Sequence, residues 1–92
     1  MSAIDLTGKR YWLVGAGDGL GRALAHHMSR AGIELIVSSR GADKLASLVD
    51  ELPGKATAQT VDISDDASVA AAAEAIGDID GLVLLAGVYW PF

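Results

Sequence analysis

Four glycines at alternate positions, Gly15, Gly17, Gly19 and Gly21, follow the apolar run Tyr11–Val14 and open a helix-like segment that begins near Leu20. The backbone N–H groups at a helix start lack internal partners, and the helix dipole is positive there. A pyrophosphate can sit on those groups where no side chain blocks its approach. Glycine removes the side chain and tolerates the backbone angles of a tight strand-to-helix turn. The turn through Gly15, Gly17, Asp18, Gly19, Leu20 and Gly21 is therefore the first candidate binding element. The alternative is a tight connection that binds nothing.

Two further groups could complete a dinucleotide site. Ser39 and Arg40 end the run Val37-Ser-Ser-Arg40. In nicotinamide-binding sheets an acid near the end of the second strand holds the ribose 2′-hydroxyl, whereas arginine accommodates a 2′-phosphate. A guanidinium forms paired, charge-assisted bonds with phosphate, and the Ser39 hydroxyl adds a donor. No acid lies between Glu34 and Asp43, so the pattern favours NADP, with NAD as the alternative cofactor. The other reading of Arg40 is a solvated loop residue. Asp18 counts against NADP, because a carboxylate repels a nearby phosphate. Asp62 could accept the adenine amino group while the Ile63 backbone lies along the ring edge, or it could support a cap at Ser64. His26 and His27, with no cysteine and no clustered acids, point to no metal site.

The elements that must position these residues alternate along the chain. Tyr11–Val14 reads as the first strand. Leu20–Ala31 reads as a helix with Leu20, Leu24, Met28 and Ala31 on one face and Gly32 as its stop. Glu34–Ser38 is the second strand. Ala42–Leu52 is a helix with Leu45, Leu48, Val49 and Leu52 on one side, closed by Pro53-Gly54. Ala56–Val61 is the third strand. Ser64 is the expected cap of a helix that runs to about Ile76 and buries Val69, Ala72, Ala73 and Ile76. Leu82–Ala86 is the fourth strand, apolar without alternation, as a strand buried on both faces would be. This is an α/β pattern, a Rossmann-type doubly wound parallel sheet truncated after the fourth strand. Right-handed crossovers give strand order 3-2-1-4, with the first two helices on one face, the third on the other, and the ligand crevice at the carboxyl ends of strands one and four.

Composition bounds the partners. Ninety-two residues make one domain, and an apolar fraction of 51% makes it a core-forming one. Net charge is −5 with no basic stripe, which argues against nucleic acid. The absence of cysteine excludes disulfides and thiolate metal sites. The N-terminal run lacks the apolar core of a signal peptide, and the apolar stretch from Leu82 to Val88 is too short to cross a bilayer. The expectation is a cytoplasmic protein with no membrane partner.

The glycine spacing narrows the class. G-x-G-x-x-G fails, because Leu20 and Arg22 stand where its last glycine would be. G-x-G-x-G fits Gly15, Gly17 and Gly19 and is similar to the first motif of Rossmann-like methyltransferases, but Leu13 stands where those carry an acid. G-x-x-x-G-x-G fits Gly15, Gly19 and Gly21. With the lead-in Leu6-Thr-Gly-Lys-Arg10, the pair Asp62-Ile63 after the third strand, and Leu84-Leu85-Ala86-Gly87 where an Asn-Asn-Ala-Gly motif would stand, the chain resembles the N-terminal half of the short-chain dehydrogenase/reductase family. Val14 replaces that family's usual threonine, and Leu84 and Leu85 replace both asparagines.

The resemblance implies that residues 1–92 are the NAD(P)-binding portion of an oxidoreductase that interconverts carbonyl and alcohol. It implies cofactor contacts from Gly15, Gly17, Asp18, Gly19, Leu20, Gly21, Ser39, Arg40, Asp62, Ile63, Ala86 and Gly87. The family's catalytic Ser and Tyr-x-x-x-Lys have no counterpart here: Tyr11 is followed four residues on by Gly15, and Tyr89 has no residue four positions on. No catalytic residue is therefore assigned, and the 92-residue chain alone is expected to be inactive. A non-enzymatic nucleotide-binding or interaction module of the same fold is the alternative. The fourth strand reads as interior yet has no fifth strand beside it, and Tyr89, Trp90 and Phe92 add apolar surface. Self-association, or pairing with a missing C-terminal half, is expected along that side.

Overall fold

A computed structural model describes residues 5–17 and 19–85. Among the described residues, seven elements follow one another: β1 (Arg10–Val14), α1 (Gly19–Arg30), β2 (Glu34–Ser38), α2 (Ala42–Glu51), β3 (Ala56–Ala58), α3 (Asp66–Ile76) and β4 (Gly81–Leu84). The strands form one sheet in the order β3-β2-β1-β4. Every pairing is parallel, with Leu13 opposite Val37 on one side and Val83 on the other. The order, the direction and the helical crossovers are those the sequence predicts.

Alternate residues of β1 and β2 build two cores, one on each face. Leu13, Leu35 and Val37 pack with Ala25 of α1 and with Leu45 and Leu48 of α2. Trp12, Val14 and Ile36 pack on the other face with Val61 and with Ala72 and Ile76 of α3. A strand sandwiched this way must be apolar throughout, which explains the unbroken run from Trp12 to Val14. Among the described residues, the buried polar side chains are accounted for: the Trp12 indole donates to the buried Ser38 hydroxyl at 2.7 Å, and Gly54 N–H donates to the buried Ser29 hydroxyl at 2.9 Å.

Four local expectations are corrected. The sheet-facing side of α1 carries Gly21, Ala25 and Ser29, not Leu20 and Ala31. Small residues at this spacing let the helix approach the sheet, Leu24 and Met28 flank the contact, and Leu20 is 75% exposed. Ser64 does not cap α3; Asp65 does, its carboxylate accepting from the N–H groups of Ala67 and Ser68. Ala73 of α3 is exposed, because one turn beyond Val69 the contact with the sheet is made by Ala72 and Ile76. The third strand is shorter than expected, but the chain beyond it stays beside β2: Gln59 N–H donates to Val37 O and Val61 N–H to Ser39 O, both at 3.0 Å.

The amino end of the sheet is closed by Arg10. Its guanidinium donates to the carbonyls of Ile76 and Asp78, at 2.7 and 2.6 Å, and pairs with Glu34 at 3.2 Å. The carboxyl end carries the loops and stays open.

Candidate functional site

The carboxyl ends of β1 and β2 and the segment after β3 enclose a cleft of about 460 Å³. The end of β1 and the turn after it contribute Val14 and Gly15, and the turn after β2 contributes Ser39 and Arg40. The far wall is Val61, Asp62, Ile63 and Ser64. Val14 and Val61 supply an apolar floor, and polar groups stand at the rim. That combination suits a flat heterocycle carrying a charged substituent.

The glycines divide their work. Gly15 has φ 97°, a left-handed conformation, and a Cβ there would strike the Leu85 carbonyl that runs past it from β4. Its N–H donates to Ser38 O at 2.7 Å, which turns the chain off the sheet. A Cβ at Gly21 would strike the Gly15 carbonyl, so this glycine sets the close approach of α1 to the end of β1. A Cβ at Gly17 would lie 3.1 Å from the Ser39 hydroxyl. Gly19 is different: its φ is 60° and a Cβ would meet nothing within 4 Å. The open space for a phosphate therefore lies above Gly19 and the first turn of α1, which holds no acidic residue. The first N–H groups of a helix lack internal partners, so open space at Gly19 fits a pyrophosphate.

Arg40 is exposed and forms no hydrogen bond or ion pair with a described residue. The Ser39 hydroxyl accepts from Gly41 N–H at 3.2 Å and keeps its own proton to donate. Asp62 Oδ1 accepts from the Ser64 hydroxyl at 2.6 Å and from Ser64 N–H at 3.0 Å. Asp62 is thus the turn carboxylate of its own loop, serving Ser64 directly rather than through a helix cap. The Ser64 hydroxyl, its N–H and then the Arg40 charge hold the Asp62 carboxyl below the usual aspartate value. Oδ2 has no donor among the described residues and remains able to accept an amino group. Ile63 is 43% exposed at the cleft wall.

The structure thus brings together Gly15, Ser39, Arg40, Asp62 and Ile63 around one cleft, with Gly17, Gly19, Leu20 and Gly21 at its loop edge. Asp18, Ala86 and Gly87 lie outside the described residues. His26 lies at the α1–α2 seam, its Nε2 3.0 Å from Glu51 Oε1, and His27 is exposed. Among the described residues no cluster could hold a metal ion, and no helix is long and apolar enough to cross a membrane. Sequence reasoning missed Val14, Val61 and Ser64 as lining residues. It also missed Arg22, whose charge next to the last glycine was the available signal.

A family model for the short chain dehydrogenases matches residues 9–92. The chain belongs to this family. Among short-chain dehydrogenase relatives, the L-xylulose reductase of Mesocricetus auratus is 36% identical over 85 residues, covering 92% of this chain and 34% of the relative. The L-sorbose reductase of Gluconobacter frateurii, solved with NADPH and L-sorbose, superposes with a TM-score of 0.80 at 26% identity, over 92% of this chain and 36% of that one. A 3-ketoacyl-(acyl-carrier-protein) reductase of Brucella melitensis, solved with NADH, gives 0.77 at 32% identity, over 84% of this chain and 33% of that one. The chain spans about a third of the length of these proteins. Its four-stranded parallel sheet is the Rossmann-like fold of these structural neighbours.

Proposed function

We propose that residues 1–92 are the nucleotide-binding portion of an oxidoreductase that prefers NADP, with Arg40 and Ser39 receiving the 2′-phosphate. The observation that carries this reading is the exposed Arg40 guanidinium, without a bonding partner among the described residues, at the cleft rim where an NAD site would carry an acid. Gly17, Gly19, Leu20 and Gly21 offer the pyrophosphate a loop and a helix start. Asp62 Oδ2 accepts the adenine amino group, with the Ile63 backbone along the ring. Asp18, Ala86 and Gly87 join the site on sequence grounds. Relatives solved with NADPH and with NADH support a nicotinamide dinucleotide of either kind, so the choice falls on Ser39 and Arg40.

When bound, the nicotinamide would supply or accept a hydride at a carbonyl or alcohol carbon. This chain's residues hold the adenosine end and the pyrophosphate; they do not protonate the developing alkoxide. A proton donor must lie within hydrogen-bond reach of that oxygen, and Tyr11 has Gly15 four residues on, where the family pattern requires lysine. Residues 1–92 by themselves are expected to bind without turnover. Calorimetric titration with NADP and NAD tests the preference. Tenfold or tighter binding of NADP is expected, and equal affinities would overturn it.

The open side of β4 belongs to the same proposal. Leu82 and Leu84 are 55% and 59% exposed, and with Trp12, Val61 and Val69 they border an apolar groove of about 450 Å³. An apolar strand edge of this kind is a template for association. In the isolated 92-residue polypeptide the occupant is a second copy.

A further inference from the structure

Arg22 follows the last glycine of the loop, yet its guanidinium is committed to neighbours inside the protein. Nη1 donates to Gly17 O at 3.1 Å and to Lys44 O at 3.5 Å. Nη2 donates to the Ser47 hydroxyl at 3.3 Å and to Glu51 Oε2. The other Glu51 oxygen lies 3.0 Å from His26 Nε2. One planar fork thus ties the glycine loop to both ends of α2, and the carboxylate that orients it sits in the last turn of that helix. A guanidinium engaged on this many sides holds a fixed plane, which a lysine ammonium cannot reproduce.

We infer that Arg22 is a positioning residue for the pyrophosphate loop, acting through Gly17 O and held in place by Glu51. The inference rests on the nucleotide-binding reading for its consequence but not for its geometry. With the Gly17 carbonyl drawn toward α2, the loop's opposite side, where Gly19 faces open space, is fixed before any ligand arrives. Binding then loses less to ordering the loop. Arg22 touches no phosphate; its charge is spent on Glu51. Removal of Glu51 should therefore weaken the ligand as removal of Arg22 does.

The test uses Arg22→Lys and Glu51→Gln in the purified protein. In ligand-free protein, amide shifts and hydrogen exchange at Gly15–Gly21 should change in both variants, while Leu35–Val37 of β2 stays unchanged. NADPH should bind about tenfold more weakly to both, whereas adenosine 2′-monophosphate, which lacks the pyrophosphate, should bind within twofold of wild type. Unchanged loop amides in either variant would overturn the inference. So would tighter NADPH binding by Glu51→Gln, which would mean that Arg22 contacts phosphate itself. Equal weakening of both ligands would also overturn it, as the mark of general destabilisation. If wild-type protein binds neither ligand, the nucleotide reading fails, and the loop amides still decide whether the brace exists.

Discussion

Replacing Arg40 by alanine separates the two cofactors most sharply. The side chain stands at the cleft rim, exposed and unbonded among the described residues, so nothing in the folded core changes when it is shortened. A hydrogen bond to a charged group contributes about 1.5–3 kcal/mol, and exposure places Arg40 at the low end. At about 1.4 kcal/mol per factor of ten, NADP affinity should fall roughly tenfold while NAD affinity stays within twofold. Asp62 sharpens the contrast, because its carboxylate shares the cleft and Arg40 offsets its charge. Without Arg40, a 2′-phosphate meets that carboxylate unshielded. The assay is calorimetric titration of wild type and Arg40→Ala with NADP and NAD at low salt. A second arm raises the salt: the Debye length falls from about 10 Å at 0.1 M to about 3 Å at 1 M, so the wild-type preference should shrink. Equal loss of both cofactors, or no loss of either, would refute the assignment of Arg40 to the 2′-phosphate.

Other expectations are independent of that residue. Ser38→Ala strips the buried Trp12 indole of its acceptor, which should cost about 1–3 kcal/mol and lower the thermal midpoint by roughly 4–8 °C per kcal/mol; an unchanged midpoint would mean that Trp12 finds another partner. The Asp62 carboxyl is depressed below its ordinary value of 3.8 by the Ser64 hydroxyl, the Ser64 N–H and Arg40. Its contribution is therefore complete above that value and lost as pH falls through the lower, folded one. Acid unfolding followed by circular dichroism should be less steep there in Asp62→Asn, and a superimposable acid limb would contradict the turn's role. Sedimentation of the 92-residue polypeptide should show self-association that Leu84→Lys suppresses; a monomer at high micromolar concentration would refute pairing through β4.

The sequence carried most of the architecture because its signals were redundant. Unbroken apolar strands, a glycine turn and helices ended by Gly32 and Pro53-Gly54 all pointed to one parallel sheet, and Leu45, Leu48 and Leu52 sit buried where their spacing placed them. The misreadings came from positions where size or competition decides. Gly21, Ala25 and Ser29 face the sheet because α1 approaches it closely, so the larger Leu20 was a poorer guide than the small residues. Asp65 is as good a capping residue type as Ser64, and the Ser64 hydroxyl is taken up by Asp62. The cleft rim at Ser39, Arg40 and Asp62 was legible because each follows a strand. The brace at Arg22 was not, because its partners Ser47 and Glu51 are 25 and 29 residues away in sequence and meet it only after the two helices have packed.

The central claim is that the carboxyl end of this sheet is a nicotinamide-dinucleotide cleft, and a shift map of ¹⁵N-labelled protein titrated with NADPH tests it directly. The account predicts shifts confined to Gly15–Gly21, Ser39–Arg40 and Val61–Ser64, saturating at one equivalent, with Arg10, Glu34 and Asp80 at the opposite end unmoved. Absence of any shift, or shifts centred on that opposite end, would contradict it.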